Sequence, residues 1–403
     1  MEKDFLNRIP DIVDNHKRVC FVIQRYGEKV NGGAELLCRE LAERLTPYYD
    51  VEVLTTKAID YITWKDEYTD SFEIINDVKV HRFSVRKERH LWWFNKINWF
   101  CVRGILPAFL EELWLKMQGP YVPELLDYIR NHKNDFDVFV FVTYLYYPTV
   151  MGIREVAEKS VLLPLAHNEP FLDLGIIRPI FSMAKGLFYE TREEYELVCK
   201  KYGELTADYS FGGAGVDLPE VVDADRFYQK YGINNYIIYV GRIDRWKNCE
   251  ELFDFFRRYK EENPGDLTLL LLGKSVIDIP KSEDIISLGF VSEEDKFDAI
   301  KGANALVLPS KFESLSIVVL EAFSLGRPVI VNKACDVLKG HVDRSGGGYA
   351  YSDYADFRVG LERLLRDKEL SASMGDNGRK YVEKYFTWDV IISNLRGLIE
   401  TVC

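Results

Sequence analysis

The chain has 403 residues, too many for one ordinary hydrophobic core; at roughly 100–200 residues per domain this predicts two or three domains. Hydrophobic residues make up 47% and charged residues 29%, which excludes a disordered chain, while aromatic residues reach an unusual 14%. Lys plus Arg number 52 against 64 Asp plus Glu, and the resulting charge of −12 argues against general nucleic-acid binding while leaving room for a local basic groove.

Taken in chain order, the opening segment MEKDFLNRIPDIVDNHKR is too charged for a secretory leader and reads as a short helix. An alternation of strands and helices follows. Lys17–Tyr26 reads as a buried strand running into Asn31-Gly32-Gly33-Ala34, and Glu35–Leu45 has helical spacing of its leucines. Further strands are expected at Val51–Thr55, Val78–Phe83, Phe136–Val142, Val161–Leu165 and Gly186–Glu190. The series then begins afresh with strands at Tyr236–Val240, Leu267–Leu272, Ile285–Leu288, Ala305–Leu308 and Val329–Val331. Helices fit Glu250–Tyr259, Glu293–Ala299, Ile317–Leu325, Tyr354–Arg366 and Ser371–Lys384.

Compact apolar runs separated by helices predict parallel sheets covered on both faces. The glycine-rich stretch Phe211–Gly215 marks the boundary, giving domains 1–210 and 211–385 with a terminal segment 386–403. Within that segment Trp388–Glu400 has an amphipathic helical pattern that either caps the second domain or crosses back to the first. Seven scattered cysteines, with no short-spaced Cys/His set, point to a reducing compartment. No stretch approaches the ~20 apolar residues a membrane span requires. A cytoplasmic protein, peripheral on the inner face of the membrane where it touches one, is the expectation.

Four places combine residues suited to chemistry. The Asn31–Ala34 turn lets backbone approach an anion at the start of a helix, or is simply a tight strand–helix turn. It is neither of the usual nucleotide-binding glycine motifs. Arg242 and Lys247 lie five residues apart just beyond a strand, where both can meet a diphosphate, unless solvent or Asp244 satisfies them. In Pro309–Glu321 a strand end, a polar loop and a helix start follow one another, so N–H groups near Leu315–Ile317 are placed for a phosphate. There Glu313 falls in the loop and Glu321 within the helix, where an exposed glutamate is the default reading. His167, in Leu165-Ala166-His167-Asn168-Glu169, follows a strand and suits sugar-hydroxyl contact or a place near the reacting carbon, against the alternative of a structural histidine. For Asp217, closing FGGAGVD, a structural turn is the default. Asp135-Phe136-Asp137 has the spacing of a metal-dependent transferase motif but precedes its apolar run, which makes it a solvated strand start.

Together these motifs resemble the retaining glycosyltransferases of family 4: NGGAE, LAHN, GGAGVD, GRIDRWKN and LPSKFESLSIVVLEAFSLGRPVI stand in that family's order, the last as its E-x7-E motif. The resemblance spans about Val19 to Phe386. It implies an α/β protein of the GT-B fold, with two Rossmann-like domains facing each other across a deep cleft. The same resemblance implies transfer of a hexose, with retention, from a nucleotide-diphosphate sugar (UDP ahead of GDP) to a glycan or lipid-linked acceptor. No metal, other cofactor or nucleic-acid partner is implied. His167, Arg242, Lys247 and Glu313 would serve the reaction; Gly32, Gly33, Phe290, Ser314, Leu315, Ser316, Ile317 and Glu321 would join the last three in holding the donor. Glu313 would contact sugar hydroxyls and Glu321 the ribose, with Ser345–Gly348 resembling the glycine loop beyond. Many relatives have glycine at positions 314 and 316 and Asp at 168, which puts the donor sugar in question.

The acceptor side is read from Arg86–Gly119, which holds Trp92, Trp93, Trp99 and Trp114 among Arg86, Lys87, Arg89, Lys96 and Arg103. That composition fits an anionic membrane or lipid-linked acceptor, a sugar platform, or an aromatic insertion packed within its own domain. Two other functions share the motif set: a sugar-nucleotide epimerase, and a noncatalytic glycan- or membrane-binding protein.

Overall fold

The computed structural model describes residues 17–403, so the short helix expected at the start of the chain lies outside the described residues. Two compact units form. One runs to Gly213 and includes Ile391–Cys403; the other is Ala214–Val390.

The first unit is built on eight strands: β1 Arg18–Val22, β2 Asp50–Thr56, β3 Phe72–Ile75, β4 Val78–Phe83, β5 Val138–Val142, β6 Ser160–Leu163, β7 Gly186–Tyr189 and β8 Asp208–Phe211. Their order is β3-β4-β2-β1-β5-β6-β7-β8, and every pair is parallel except β3 with β4. Central β1 and β5 are almost wholly apolar because helices cover both faces of a parallel sheet. In β1–β2–β5 register, Val19 stands opposite Val51 and Val138.

The last helix, Trp388–Val402, contributes to this unit from residue 391 onward. Ile391, Leu395, Leu398, Ile399 and Val402 are buried along one face. A Cβ on Gly186 of β7 would lie 3.0 Å from Val402 and 3.3 Å from Leu398, so the missing side chain lets the helix seat against the sheet. Glu400 then binds Lys17 at 2.5 Å and accepts the Tyr49 hydroxyl at 2.9 Å.

The second unit has six strands: β9 Tyr236–Val240, β10 Thr268–Leu272, β11 Ile285–Gly289, β12 Leu306–Leu308, β13 Val329–Asn332 and β14 Gly348–Tyr351. All are parallel, in the order β11-β10-β9-β12-β13-β14. Both sheets therefore grow outward in two directions from a first strand, and reverse between β1 and β5 and between β9 and β12. At such a reversal the loops leaving neighbouring strands diverge and open a crevice at the carboxyl edge.

Several elements escape a reading by apolar periodicity. Strands β3 (FEII) and β8 (DYSF) are short edge strands with exposed residues, and β14 opens on glycine. Helix Asp336–Ser345 mixes glycine and charge, yet buries Val337, Leu338, His341 and Val342 at helical spacing. Strand β1 ends at Val22, four residues short of the strand expected over Lys17–Tyr26. Ile23 through Tyr26 are buried as loop, with Ile23 donating to Leu54 at 3.2 Å.

At the carboxyl edge of the second sheet Gly273 has φ +128°, and a Cβ there would sit 2.1 Å from the Gly241 carbonyl oxygen. Overpacking against backbone cannot relax by a rotamer change. Replacing Gly273 by Ala is expected to lower unfolding free energy by at least about 2 kcal/mol in denaturant titration. A variant as stable as the parent would show the approach is not tight.

Candidate functional site

In the second unit the chain leaves β9 through Gly241 into a turn organised by Asp244. This carboxylate is 3% exposed. It accepts the Lys247 backbone N–H at 2.7 Å through Oδ1 and pairs through Oδ2 with Arg242 Nε. Asp244 thus satisfies one cation locally, yet it engages only Nε, while the Arg242 side chain is 61% exposed. Lys247 Nζ turns to the next strand's loop and meets Glu313 Oε1 at 2.8 Å. The two loops are also joined through the Pro309 carbonyl, which accepts from Asn248 Nδ2 and Asn332 Nδ2, each at 3.2 Å. Arg242, Lys247 and Glu313 consequently share the reversal between β9 and β12.

Beyond Glu313 the chain enters helix Ile317–Ser324 through Ser316, at φ 64°, ψ 67°. This left-handed geometry costs a non-glycine residue about 1–2 kcal/mol, so the position makes glycine's demand while carrying serine. The Ser316 hydroxyl is buried and has no hydrogen-bond partner among the described residues. Leu315 is buried and Ile317 exposed. Glu321 is not the exposed helical glutamate of the default reading: it is 8% exposed and pairs with Lys296 Nζ at 2.9 Å. Burial raises the Glu321 carboxyl's pKa, and the ammonium of Lys296, itself shared with Glu293 at 2.7 Å, works against that shift. Phe290, following β11 on the same edge, is 81% exposed.

Behind this loop sits a histidine that sequence reasoning passed over. His341 is fully buried; its Nε2 donates to the Leu315 carbonyl at 2.8 Å, and its Nδ1 accepts from the Tyr381 hydroxyl at 3.1 Å. The carbonyl can only accept, which sets the tautomer. Burial pushes its pKa down to about 4, so the ring is neutral and holds the backbone that leads into the helix.

The glycines of Ser345–Gly348 serve packing. Gly346 closes the preceding helix in left-handed conformation, and a Cβ on Gly348 would fall 2.1 Å from the Val329 carbonyl oxygen. Asp217 accepts the Trp388 indole N–H at 2.9 Å, a structural role in the boundary turn. At the opposite end of β5, Asp137 accepts the Arg18 N–H at 2.7 Å and Asp135 bonds His132 at 2.8 Å. Among the described residues no cluster of His, Cys, Asp and Glu is assembled to hold a metal.

In the first unit the glycine turn follows β1, at the reversal beside β5. Beneath it lies a buried ion pair: Glu35 Oε1 accepts from Arg25 Nη2 at 2.6 Å, Arg25 Nε at 2.9 Å and Gln24 Nε2 at 2.9 Å. Arg25 also donates to the Asn31 carbonyl at 3.3 Å. The two glycines are not equivalent. A Cβ on Gly32 would land 2.1 Å from Glu35 Oε2, whereas Gly33 faces open space. Helix Gly33–Leu45 starts two residues earlier than its leucine spacing suggests.

His167 is exposed on the loop after β6, as is Asn168, so the imidazole is not a core histidine. The loop's shape comes from a second overlooked residue. Glu194, 6% exposed, accepts the Ala166 N–H at 2.6 Å and the Glu190 N–H at 2.7 Å. Leu165 beside it is held at φ 53°. Burial pushes the Glu194 carboxyl up to about 8, even though these N–H bonds favour its charged form. Thr191-Arg192-Glu193-Glu194 has the capping-box pattern at a helix start, the signal that marks it in sequence.

Of the Trp-rich segment, only Trp114 is fully buried, stacked on Phe171; Trp92, Trp93 and Trp99 are exposed. The packed-insertion reading therefore describes one tryptophan of four.

Comparison with known proteins agrees with this architecture. A family model described as glycosyl transferases group 1 matches residues 223–381, inside the second unit. The capsular polysaccharide biosynthesis glycosyltransferase CapM of Staphylococcus aureus is 27% identical over 186 residues, 43% of this chain and 48% of that protein. The chain spans about half the length of the curated relatives it matches. Among solved structures, sucrose-phosphate synthase from Thermosynechococcus elongatus superimposes with a TM-score of 0.69 at 16% identity, covering 96% of this chain and 99% of that one. Anabaena HepE in complex with UDP gives 0.67 at 15%, covering 96% and 99%. The chain thus has the GT-B fold, with two Rossmann-like α/β units.

The buried His341 has a pH signature. Its folded pKa, about 4, lies below the ordinary 6.5, so between those values the unfolded chain binds more protons and stability falls with falling pH. The loss attributable to this ring is about 3 kcal/mol across that window. Unfolding titrations from neutral to acid pH should show a shallower decline in His341→Gln than in the parent. Equal slopes would mean the ring is not the titrating group.

Proposed function

We propose that this chain is a retaining hexosyltransferase, taking its sugar from a nucleotide-diphosphate donor, UDP-linked ahead of GDP-linked. The acceptor is a hydroxyl of a glycan or lipid-linked saccharide, in polysaccharide or cell-surface glycan synthesis. The observation that carries the reading is the convergence of Arg242, Lys247 and Glu313 at the β9–β12 reversal, beside a helix start with a buried, unpaired Ser316 hydroxyl. Two cations and a helix N-terminus suit a diphosphate, and a carboxylate suits sugar hydroxyls. The group 1 match over this unit and HepE's bound UDP support it.

In this scheme Arg242 and Lys247 stabilise negative charge as the diphosphate leaves, the largest contribution asked of the protein. The bond from the anomeric carbon to the diphosphate oxygen breaks on the face where the acceptor oxygen bonds. The acceptor's proton passes to the departing diphosphate. No side chain is required as nucleophile, so the two-carboxylate arrangement of retaining glycosidases need not recur. Glu321 would meet the ribose while Lys296 neutralises it, and Ser314 through Ile317 would present N–H groups to phosphate. On the first unit, Gly33 leaves room for a ligand and His167 is presented toward solvent on its constrained loop, as contacts to acceptor or transferred sugar require.

A donor-hydrolysis screen with UDP- and GDP-sugars tests the reading. Release of nucleoside diphosphate, increased by a glycan acceptor, is expected. Arg242→Ala and Lys247→Ala should each lower turnover by about 100-fold or more, far more than the loss of their carboxylate pairing lowers thermal stability. Folded protein that binds no nucleotide sugar overturns the proposal. Conversion of donor to an epimer without acceptor identifies the epimerase reading instead.

A further inference from the structure

Helices Leu91–Val102 and Ala108–Gln118 are joined by Arg103–Pro107, and the first is seated through a narrow seam. Phe94 and Cys101, seven residues apart, are its buried residues. Asn98 between them accepts the indole N–H of buried Trp114 at 3.0 Å. Nearly everything else large and apolar faces outward. Trp92 and Trp93 are each 53% exposed and Phe109 82%, with Trp99, Phe100 and Ile105 between them also exposed. A surface helix ordinarily shows the reverse distribution.

The charges on this face are one-sided. From Arg89 to Leu110 there is no Asp or Glu, within a chain of net charge −12. Arg89 is turned inward, donating to the Met117 carbonyl at 3.1 Å and to that of Gln118. Lys96 and Arg103 remain on the face. Lys96 Nζ sits 3.5 Å over the Trp92 ring centroid, and the Arg103 guanidinium carbon 3.7 Å over that of Trp99. The nearest acids in the second helix are already engaged: Glu111 accepts the Ile176 N–H at 2.7 Å, and Glu112 pairs with Lys116 at 2.6 Å. Among the described residues no helix is long and apolar enough to cross a bilayer.

We propose that this helix pair is an interfacial anchor, laying Trp92, Trp93, Trp99, Phe100, Ile105 and Phe109 into the headgroup region of an anionic membrane, with Lys96 and Arg103 on lipid phosphates. Tryptophan and cations along one face match the two halves of that interface: apolar below, negative above. A second copy of the chain fits less well. Twofold pairing of the face would add a second Lys96 and Arg103 and no carboxylate from Arg89–Leu110. The inference deepens the acceptor side of the proposed function and rests on it only in that the sugar would then be added to a membrane-held acceptor.

Cosedimentation of the full chain with vesicles tests it without donor or acceptor, so failed transfer and failed anchoring are read separately. Binding to phosphatidylcholine–phosphatidylglycerol vesicles is expected, weakening at high salt. Trp92→Ser with Trp99→Ser should lower the partition coefficient at least about tenfold. Lys96→Ala with Arg103→Ala should cost about fivefold per cation on anionic vesicles, and little on phosphatidylcholine alone. All four positions are exposed, and unchanged thermal unfolding will confirm that the variants fold. No binding at either salt, or binding untouched by both double variants, overturns the anchor. So does a concentration-dependent dimer that Phe109→Ser disperses and vesicles do not compete away.

Discussion

Pairing the first strand of the second unit with its fourth is the constraint on which the cation-rich edge depends. Once β12 lies beside β9 rather than beside β11, the chain must travel outward on one side and return to grow on the other. The loops after β9 and β12 then leave neighbouring strands in diverging directions. Lys247 and Glu313, 66 residues apart in sequence, become an ion pair at 2.8 Å through that pairing alone. The same logic operates between β1 and β5, where the Gln24 amide oxygen accepts the Thr143 hydroxyl at 3.2 Å. Both reversals follow from the order of parallel strands and their crossovers.

Three cations at the second edge arrive with a carboxylate of their own. Asp244 holds Arg242, Glu313 meets Lys247, and Glu321 meets Lys296. Paired in this way, the groups avoid the desolvation cost of lone buried charges and the mutual repulsion of three cations on one edge. The pairs also keep the side chains ordered. An anion bound there would meet donors whose geometry is already set, in competition with the carboxylates that now hold them.

The central strands and the covered helices were legible because their apolar runs are local facts: YIIYV and TLLLL can hardly be anything but buried strands in this context. The motif residues were legible for the same reason, since strand end, glycine turn and helix start are contiguous. What escaped depends on distance in sequence. His341 touches Leu315 across 26 residues and Tyr381 across 40, and nothing adjacent to it announces either contact. Glu321 reads as a surface glutamate until Lys296 is placed beside it. Edge strands β3 and β8 are four residues long and largely uncovered, too short for a period to show. The aromatic insertion was ambiguous for a related reason: periodicity finds a helix in it, but not which face the rest of the unit will cover.

The closing helix carries a consequence for the order of assembly. Ile391, Leu395 and Ile399 belong to the core of the first unit, yet the ribosome makes them only after all of Ala214–Val390. During synthesis the second unit has its complete sequence first, and can consolidate as an independent cooperative body. Until the last residues emerge, the first sheet lacks the apolar face that covers Gly186 of β7 and the Glu400 carboxylate that ties down Lys17 and Tyr49. Of the two units, the one begun first is the one completed second.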